Sequence, residues 1–318
     1  MKGALSVGHT TTLEMAVNNN TPPTTTSYSQ VCFHVIPDSI GITLAVLATP
    51  IHIFVIRALI INLQLRNPRH MIILNLSASD IVQILGRATA VLLTLAHKFT
   101  INKTGCILSN FMIKFTNILS VVSSSGLIIA LSLERYIACV HCLRVHSIVT
   151  NRRVKVAMIS IWATALFCAV GVVTADNYKG DLDSDWYSGV YIVVTSVCLL
   201  IITYVQITLY KLSKNKIHVL PSQFGIQAET YYDWKRNIKI TCATAAVSVL
   251  HIICLFPKSV FFVYSKVCNC SNKEVSGIVI ALLQLNVLAD PLLYGLGMPD
   301  VRNGIFRELR KIKQAWKR

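Results

Sequence analysis

The fold is decided by residues 107–136, ILSNFMIKFTNILSVVSSSGLIIALSLERY. A bilayer core about 30 Å thick needs roughly 20 apolar residues at about 1.5 Å each, and this run exceeds that length. Within it Lys114, Asn117, Val121, Ser124, Ile128, Leu131 and Arg135 recur at spacings of three and four, which puts them on one stripe of a helix, polar at both ends. Ionisable side chains at membrane depth turn away from lipid, so the stripe faces the interior of a bundle.

Six more segments meet the same length criterion: Ile40 to Asn62, Met71 to His97, Val156 to Ala175, Tyr187 to Leu212, Ile238 to Tyr264 and Val275 to Gly297. None alternates apolar with polar residues as barrel strands do, so the expected fold is all-α with seven membrane-spanning helices. Composition agrees, since the 318 residues are 53% hydrophobic and only 14% charged, with a mean hydropathy of +0.57. The expected organisation is a tail over 1–37, a bundle over 38–298 and an amphipathic helix with a basic tail over 299–318. Ser213 to Arg236 reads as a polar loop between helices five and six.

The net charge of +16 points to nucleic acid or to membrane topology, and its placement decides for topology. Arg66 and Arg69, then Arg144, Arg152, Arg153 and Lys155, then Lys211, Lys214, Lys216, Lys235 and Arg236, and finally the Arg307 to Arg318 tail all fall on one side. The bias makes that side cytoplasmic and the N-terminus extracellular, with no nucleic-acid partner expected. The plasma membrane is the expected location, and helix one is read as an uncleaved signal anchor. The acceptor triplets at Asn19, Asn102 and Asn269 lie on the outer side and are expected to be glycosylated, whereas Asn75 lies inside a span. Cys32, Cys106, Cys268 and Cys270 are also outside or at the outer boundary, and four cysteines allow three pairings. Cys32 with Cys268 or Cys270 is favoured, which would tie the tail to the last outer loop.

His52, Asp80, Arg87, Lys114, His251, Lys258 and Asp290 all lie within spans. Glu134-Arg135-Tyr136 ends helix three; Leu-Asn-Leu-Ser-Ala-Ser-Asp80 lies in helix two, Trp162 in helix four, Tyr204 in helix five, Pro257 in helix six and Asp290-Pro291-Leu-Leu-Tyr294 in helix seven. In order and interval these landmarks resemble the rhodopsin-like G-protein-coupled receptors, from Ile40 to about Trp316. The short outer loop without Cys between helices four and five, Ser196 in place of the usual helix-five Pro, and cysteines in both the tail and the last outer loop are similar to the melanocortin receptors, within a group that includes lysophospholipid, cannabinoid and adenosine receptors.

The resemblance implies a non-enzymatic receptor that passes an extracellular signal to a heterotrimeric G protein, with arrestin a further cytoplasmic partner. It implies a coupling switch at Glu134, Arg135, Tyr136, Tyr204 and Tyr294, with hinges at Pro257 and Pro291. Asp80, Ser124, Asn286 and Asp290 match the family's sodium cluster, and converging oxygens suit a hard cation; the plainer reading is a water-linked network without an ion. No other cofactor is expected. Leu255 and His251 replace the usual Trp and Phe of helix six, and His52 replaces an Asn, where a satisfied structural role is expected. No acid lies near Asn237 at the start of helix six, so Arg135 has Glu134 as its partner and no lock across to helix six, which predicts ligand-free activity.

For ligand, the upper bundle offers Arg87, Lys114, Asn117, Val121, Lys258 and Gln284. Three cations in low dielectric with no acid at their level suggest an anionic lipid, metabolite or peptide; the competing reading is that the long side chains snorkel to the outer interface or pair with the acidic outer loop. Other classes fit less well. A transporter or channel would show inverted repeats or broken helix pairs, an enzyme a His cluster, nucleophile pair or cofactor loop, and none is present in the sequence. A decoy that binds without coupling is the remaining variant. After Tyr294, Pro299 and Asp300 open a helix with Ile305, Phe306, Leu309, Ile312 and Trp316 on one face and Arg and Lys on the other, suited to lying on lipid at the inner leaflet.

Overall fold

The computed structural model describes residues 35–62, 67–100, 103–141, 144–179, 185–223, 228–268 and 273–315. Asn19, Asn102 and Asn269, Cys32 and Cys270, and Trp316 lie outside them. Among the described residues there is no strand, and seven helices are long and apolar enough to cross a membrane. Helix one runs Val35–Arg57, starting inside the stretch assigned to the tail, and closes with a π-helical turn, Ala58–Asn62. Helices two to seven are Pro68–Thr100, Lys103–Val140, Asn151–Lys179, Asp185–Gln223, Ala228–Val267 and Lys273–Gly297. A short turn of helix, Val145–Ile148, lies between three and four, and helix eight is Pro299–Ala315.

One expectation is corrected here. Ser213 to Arg236 is not a loop: helix five continues to Gln223 and helix six begins at Ala228. Apolarity marks where a helix is in lipid, whereas the backbone ladder continues into water wherever Lys, Leu, Gln and Glu favour it. Ser196, where the family usually has Pro, lies inside an uninterrupted helix, because every N–H there remains a donor.

Helix three is the axis of the packing. It meets helices two, four, five and six, while helix one packs on two and seven and helix eight on one and seven. Of its most apolar window 67% is buried, against 22% for helix five. The stripe expected from the sequence is the buried one, from Asn117 through Val121, Ser124, Ile128 and Leu131 to Arg135. Outward residues such as Ile159, Phe167 and Leu200 are apolar and exposed, which is stable only with lipid as solvent. Asn75 sits inside the bundle, where it accepts a hydrogen bond from the Trp162 indole at 3.1 Å and donates to the Met71 carbonyl at 2.8 Å.

Helices two and three pack tightly at Gly86. A Cβ there would lie 2.1 Å from the Thr116 methyl, and Thr116 is held by a 2.7 Å bond to the Met112 carbonyl. The neighbour is β-branched and close to the backbone, so it cannot move aside. Gly86→Val should therefore lower stability by about 1–3 kcal/mol through overpacking, read as a drop in the melting temperature of the solubilised protein relative to Gly171→Ala, which meets open space.

Candidate functional site

Three groups of predicted site residues line the bundle at successive depths. At the end of the bundle that carries the excess of Lys and Arg, Arg135 is fully buried, with its guanidinium bound by both Glu134 oxygens. Arg69 of helix two comes within 3.7 Å of the same carboxylate. A buried guanidinium requires such a partner, and the two-pronged contact satisfies its planar donors as the sequence reading expects. Tyr136 is half-buried beside it. Tyr294 is wholly buried against Leu76, Leu127 and Leu131, its hydroxyl without a hydrogen-bond partner. Tyr204 departs from expectation: the structure puts it on the outer face of helix five, 72% exposed. The inward position on that helix belongs instead to Gln206, whose amide donates to Ser132 of helix three at 2.8 Å and Ser248 of helix six at 2.7 Å.

At mid-depth Asp80, Ser124, Asn286 and Asp290 are all buried. Asp80 and Asp290 lie within electrostatic reach of each other, and Asn286 donates weakly to Asp290 at 3.5 Å. Both oxygens of Asp80, one of Asp290 and the Asn286 amide oxygen have no hydrogen-bond partner. Ser124 is 3.0 Å from Ser79, which is 2.6 Å from Ser123. A set of unpartnered carboxylate and amide oxygens is a donor set for a hard cation, so these residues fit a sodium ion. His52 is wholly buried, and its Nδ1 has no hydrogen-bond partner. Its Nε2 lies 2.8 Å from the Val287 carbonyl, which can only accept, so Nε2 carries the proton and joins helix one to helix seven. The same nitrogen is 3.8 Å from Asp80. On helix six, His251 is tied to Ser125 of helix three at 3.0 Å, and Leu255 fills a buried position in the apolar cluster around Tyr191.

Nearer the outer end Arg87, Asn117, Val121, Lys258 and Gln284 are buried and Lys114 half-buried, on helices two, three, six and seven. Lys258 does not snorkel. Its ammonium lies 4.2 Å from the Tyr191 ring centre and 5.6 Å from that of Phe262, while Lys114 lies 5.6 Å from the Tyr187 ring. Those rings pack edge-on, with Phe262 at 6.1 Å from Tyr187 and 5.4 Å from Tyr191. Aromatic faces thus partly balance Lys258 and Lys114. The Gln284 amide oxygen and the Tyr191 hydroxyl, both buried, have no hydrogen-bond partner. Thr195 and Ser259, 2.8 Å apart, close helix five on helix six at this level.

Pro257 and Pro291 sit inside continuous helices six and seven, each depriving its helix of one backbone bond just below the outer group and beside the mid-depth group. Cys268 is exposed at the outer end of helix six.

Two comparisons with known proteins bear on this arrangement. The family model for 7 transmembrane receptors (rhodopsin family) matches residues 52–294. Human melanocortin receptor 3 is 23% identical over 307 residues, covering 89% of this chain and 88% of its own length.

Proposed function

The chain belongs to the rhodopsin family of seven-transmembrane receptors, which are signalling proteins and not enzymes, and from that premise we propose that it carries an extracellular signal to a heterotrimeric G protein at the plasma membrane. The observation that carries this reading is the buried Glu134–Arg135 pair at the basic end of the bundle. An ion pair buried at an aqueous boundary contributes little to stability for its desolvation cost. Its use is in being exchangeable, for Arg135 can leave Glu134 for a partner that enters when helix six swings outward about Pro257. Ligand acts by favouring that conformer, and Tyr136 and Tyr294 border the space it opens. Arrestin is the second partner this inner face suits. The excess of Lys and Arg on the same side places the N-terminus outside, where Asn19, Asn102 and Asn269 are sugar acceptors and Cys32 with Cys268 or Cys270 the favoured disulfide.

The ligand is an anion, carboxylate or phosphate, on a lipid, metabolite or peptide. Arg87, Lys114 and Lys258 supply the positive field, and Asn117 offers no counter-charge to an amine. Aromatic faces favour the ammonium form of Lys258, the form that would pair with an incoming anion. At mid-depth a sodium ion held by Asp80, Ser124, Asn286 and Asp290 would offset the mutual repulsion of two buried carboxylates and favour the resting conformer.

The primary test is a panel of G proteins co-expressed with wild type and Arg135→Ala at matched surface level. Wild type should raise nucleotide exchange on at least one member and the variant on none; a wild type silent on every member indicates a receptor that binds without coupling. With an anionic agonist in hand, Arg87→Ala combined with Lys258→Ala should raise the half-maximal dose at least about a hundredfold, two charge-assisted contacts being worth roughly tenfold each, and an unchanged dose would reject the anion site. The receptor should also melt at higher temperature in sodium chloride than in N-methylglucamine chloride, a difference that Asp80→Asn abolishes.

A further inference from the structure

Helix six starts at Ala228 and so carries Glu229 and Asp233 ahead of Asn237, where the sequence reading expected no acid; among the described residues Arg135 pairs with Glu134 of its own helix, yet helix six is not unattached at this depth. The Gln206 amide nitrogen lies 2.8 Å from Ser132 on helix three and 2.7 Å from Ser248 on helix six. Both serines are fully buried. The Ser248 hydroxyl has spent its one hydrogen on the Thr244 carbonyl at 3.0 Å, so in this bond it can only accept. A primary amide is the neutral group that carries two hydrogens on one nitrogen, and here it divides them between two neighbouring helices. Ser132 is one turn outward from Arg135, and Ser248 lies nine residues before Pro257, about 13 Å along the helix from the hinge. Two turns further in than the serines, Cys139 faces Thr241 across the same seam at 3.9 Å.

We infer that Gln206 is the positioning residue that holds helix six against helices three and five in the resting conformer, with two neutral hydrogen bonds serving where a cross-helix ion pair is missing. Outward movement of helix six pulls Ser248 away from Gln206 before the cavity at Arg135 can open. Neither serine has water to turn to, so the bond must be broken and not exchanged. The clamp therefore restrains the ligand-free activity that the missing ion pair alone would allow.

The inference rests on the proposed outward swing of helix six but not on coupling, and the native thiol of Cys139 separates the two. The full-length chain carrying Cys142→Ser and Cys242→Ser is reconstituted in lipid nanodiscs and treated with a water-soluble maleimide, and modification of Cys139 is followed by peptide mapping, with Cys139→Ser as blank. Each interhelical hydrogen bond in a membrane bundle is worth about three- to tenfold in an equilibrium constant, so Gln206→Met, which keeps length and apolar bulk, should speed labelling at least about threefold. Ser132→Ala with Ser248→Ala should do the same, and all three changes together should go no further than Gln206→Met alone. Unchanged labelling in Gln206→Met, or effects that simply multiply, would overturn the clamp. If Gln206→Met fails to reach a folded state, the serine pair decides in the same way: faster labelling upholds the clamp and an unaltered rate rejects it. A receptor silent in every coupling assay still reports through Cys139, so failure of the receptor reading and failure of the clamp have different signatures.

Discussion

Lipid will not solvate a charge, and the rest of this molecule follows from that refusal. Each ionisable side chain that the sequence commits to a span must find company inside the bundle, and helix three, buried along most of its length, is where the company is found. The three depths solve the problem differently. At the inner end Arg135 has a carboxylate held against it; at mid-depth two carboxylates and an amide are buried with oxygens that lack hydrogen-bond partners; at the outer level Lys258 rests on aromatic faces. The first solution is complete, the second would be completed by the proposed cation, and the third sets a cation against rings that only partly balance it. That gradation runs from the protein's own needs to those of something it receives.

The inner half shows how a family architecture survives the loss of familiar parts. Helix six lacks the usual aromatic switch, yet Leu255 fills its place in an apolar cluster and His251 reaches across to Ser125. Helix one lacks the usual Asn, yet His52 still bridges to helix seven through the Val287 carbonyl. Neutral polar contacts join helix six to its neighbours at Gln206, His251 and Thr195. Such contacts are directional and of modest strength, which suits helices that must stay in register and still separate.

How much of this could be read from sequence follows from which physical signals are local. The spans and the inward stripe of helix three were legible because hydropathy and a helical period are written in consecutive residues, and Glu134 with Arg135 because they are neighbours in the chain. Tyr204 was misplaced because an aromatic ring is at home on either face of a helix in lipid, so helix five, half-apolar all round and little buried, gives no periodic clue to its inner side. The rings of Tyr187, Tyr191 and Phe262 were missed for the same reason, although Tyr187 and Tyr191 do share a face one turn apart. Gln206 carries no charge and breaks no pattern, so nothing in its own helix announces that two serines on other helices await its amide. The helical ends around residues 213–236 were taken for a loop because polarity was read as irregularity, whereas it reports only the end of the membrane.

Helix eight carries one more consequence. Glu308 is buried, receives Lys311 at 2.9 Å and lies 3.7 Å from Arg57 at the foot of helix one, so this short helix is bolted to the bundle through its inner side. Phe306, Leu309 and Ile312 stay exposed on the side it leaves open. With the helix tied to the bundle in this way, that greasy edge suits the boundary between lipid and water, where it would set how deeply the whole molecule floats. The receptor carries its own keel: a bilayer that thickens or thins beneath it must tilt the bundle or strain the Glu308 bolt, and the seam around Arg135, at the same level, would register the change.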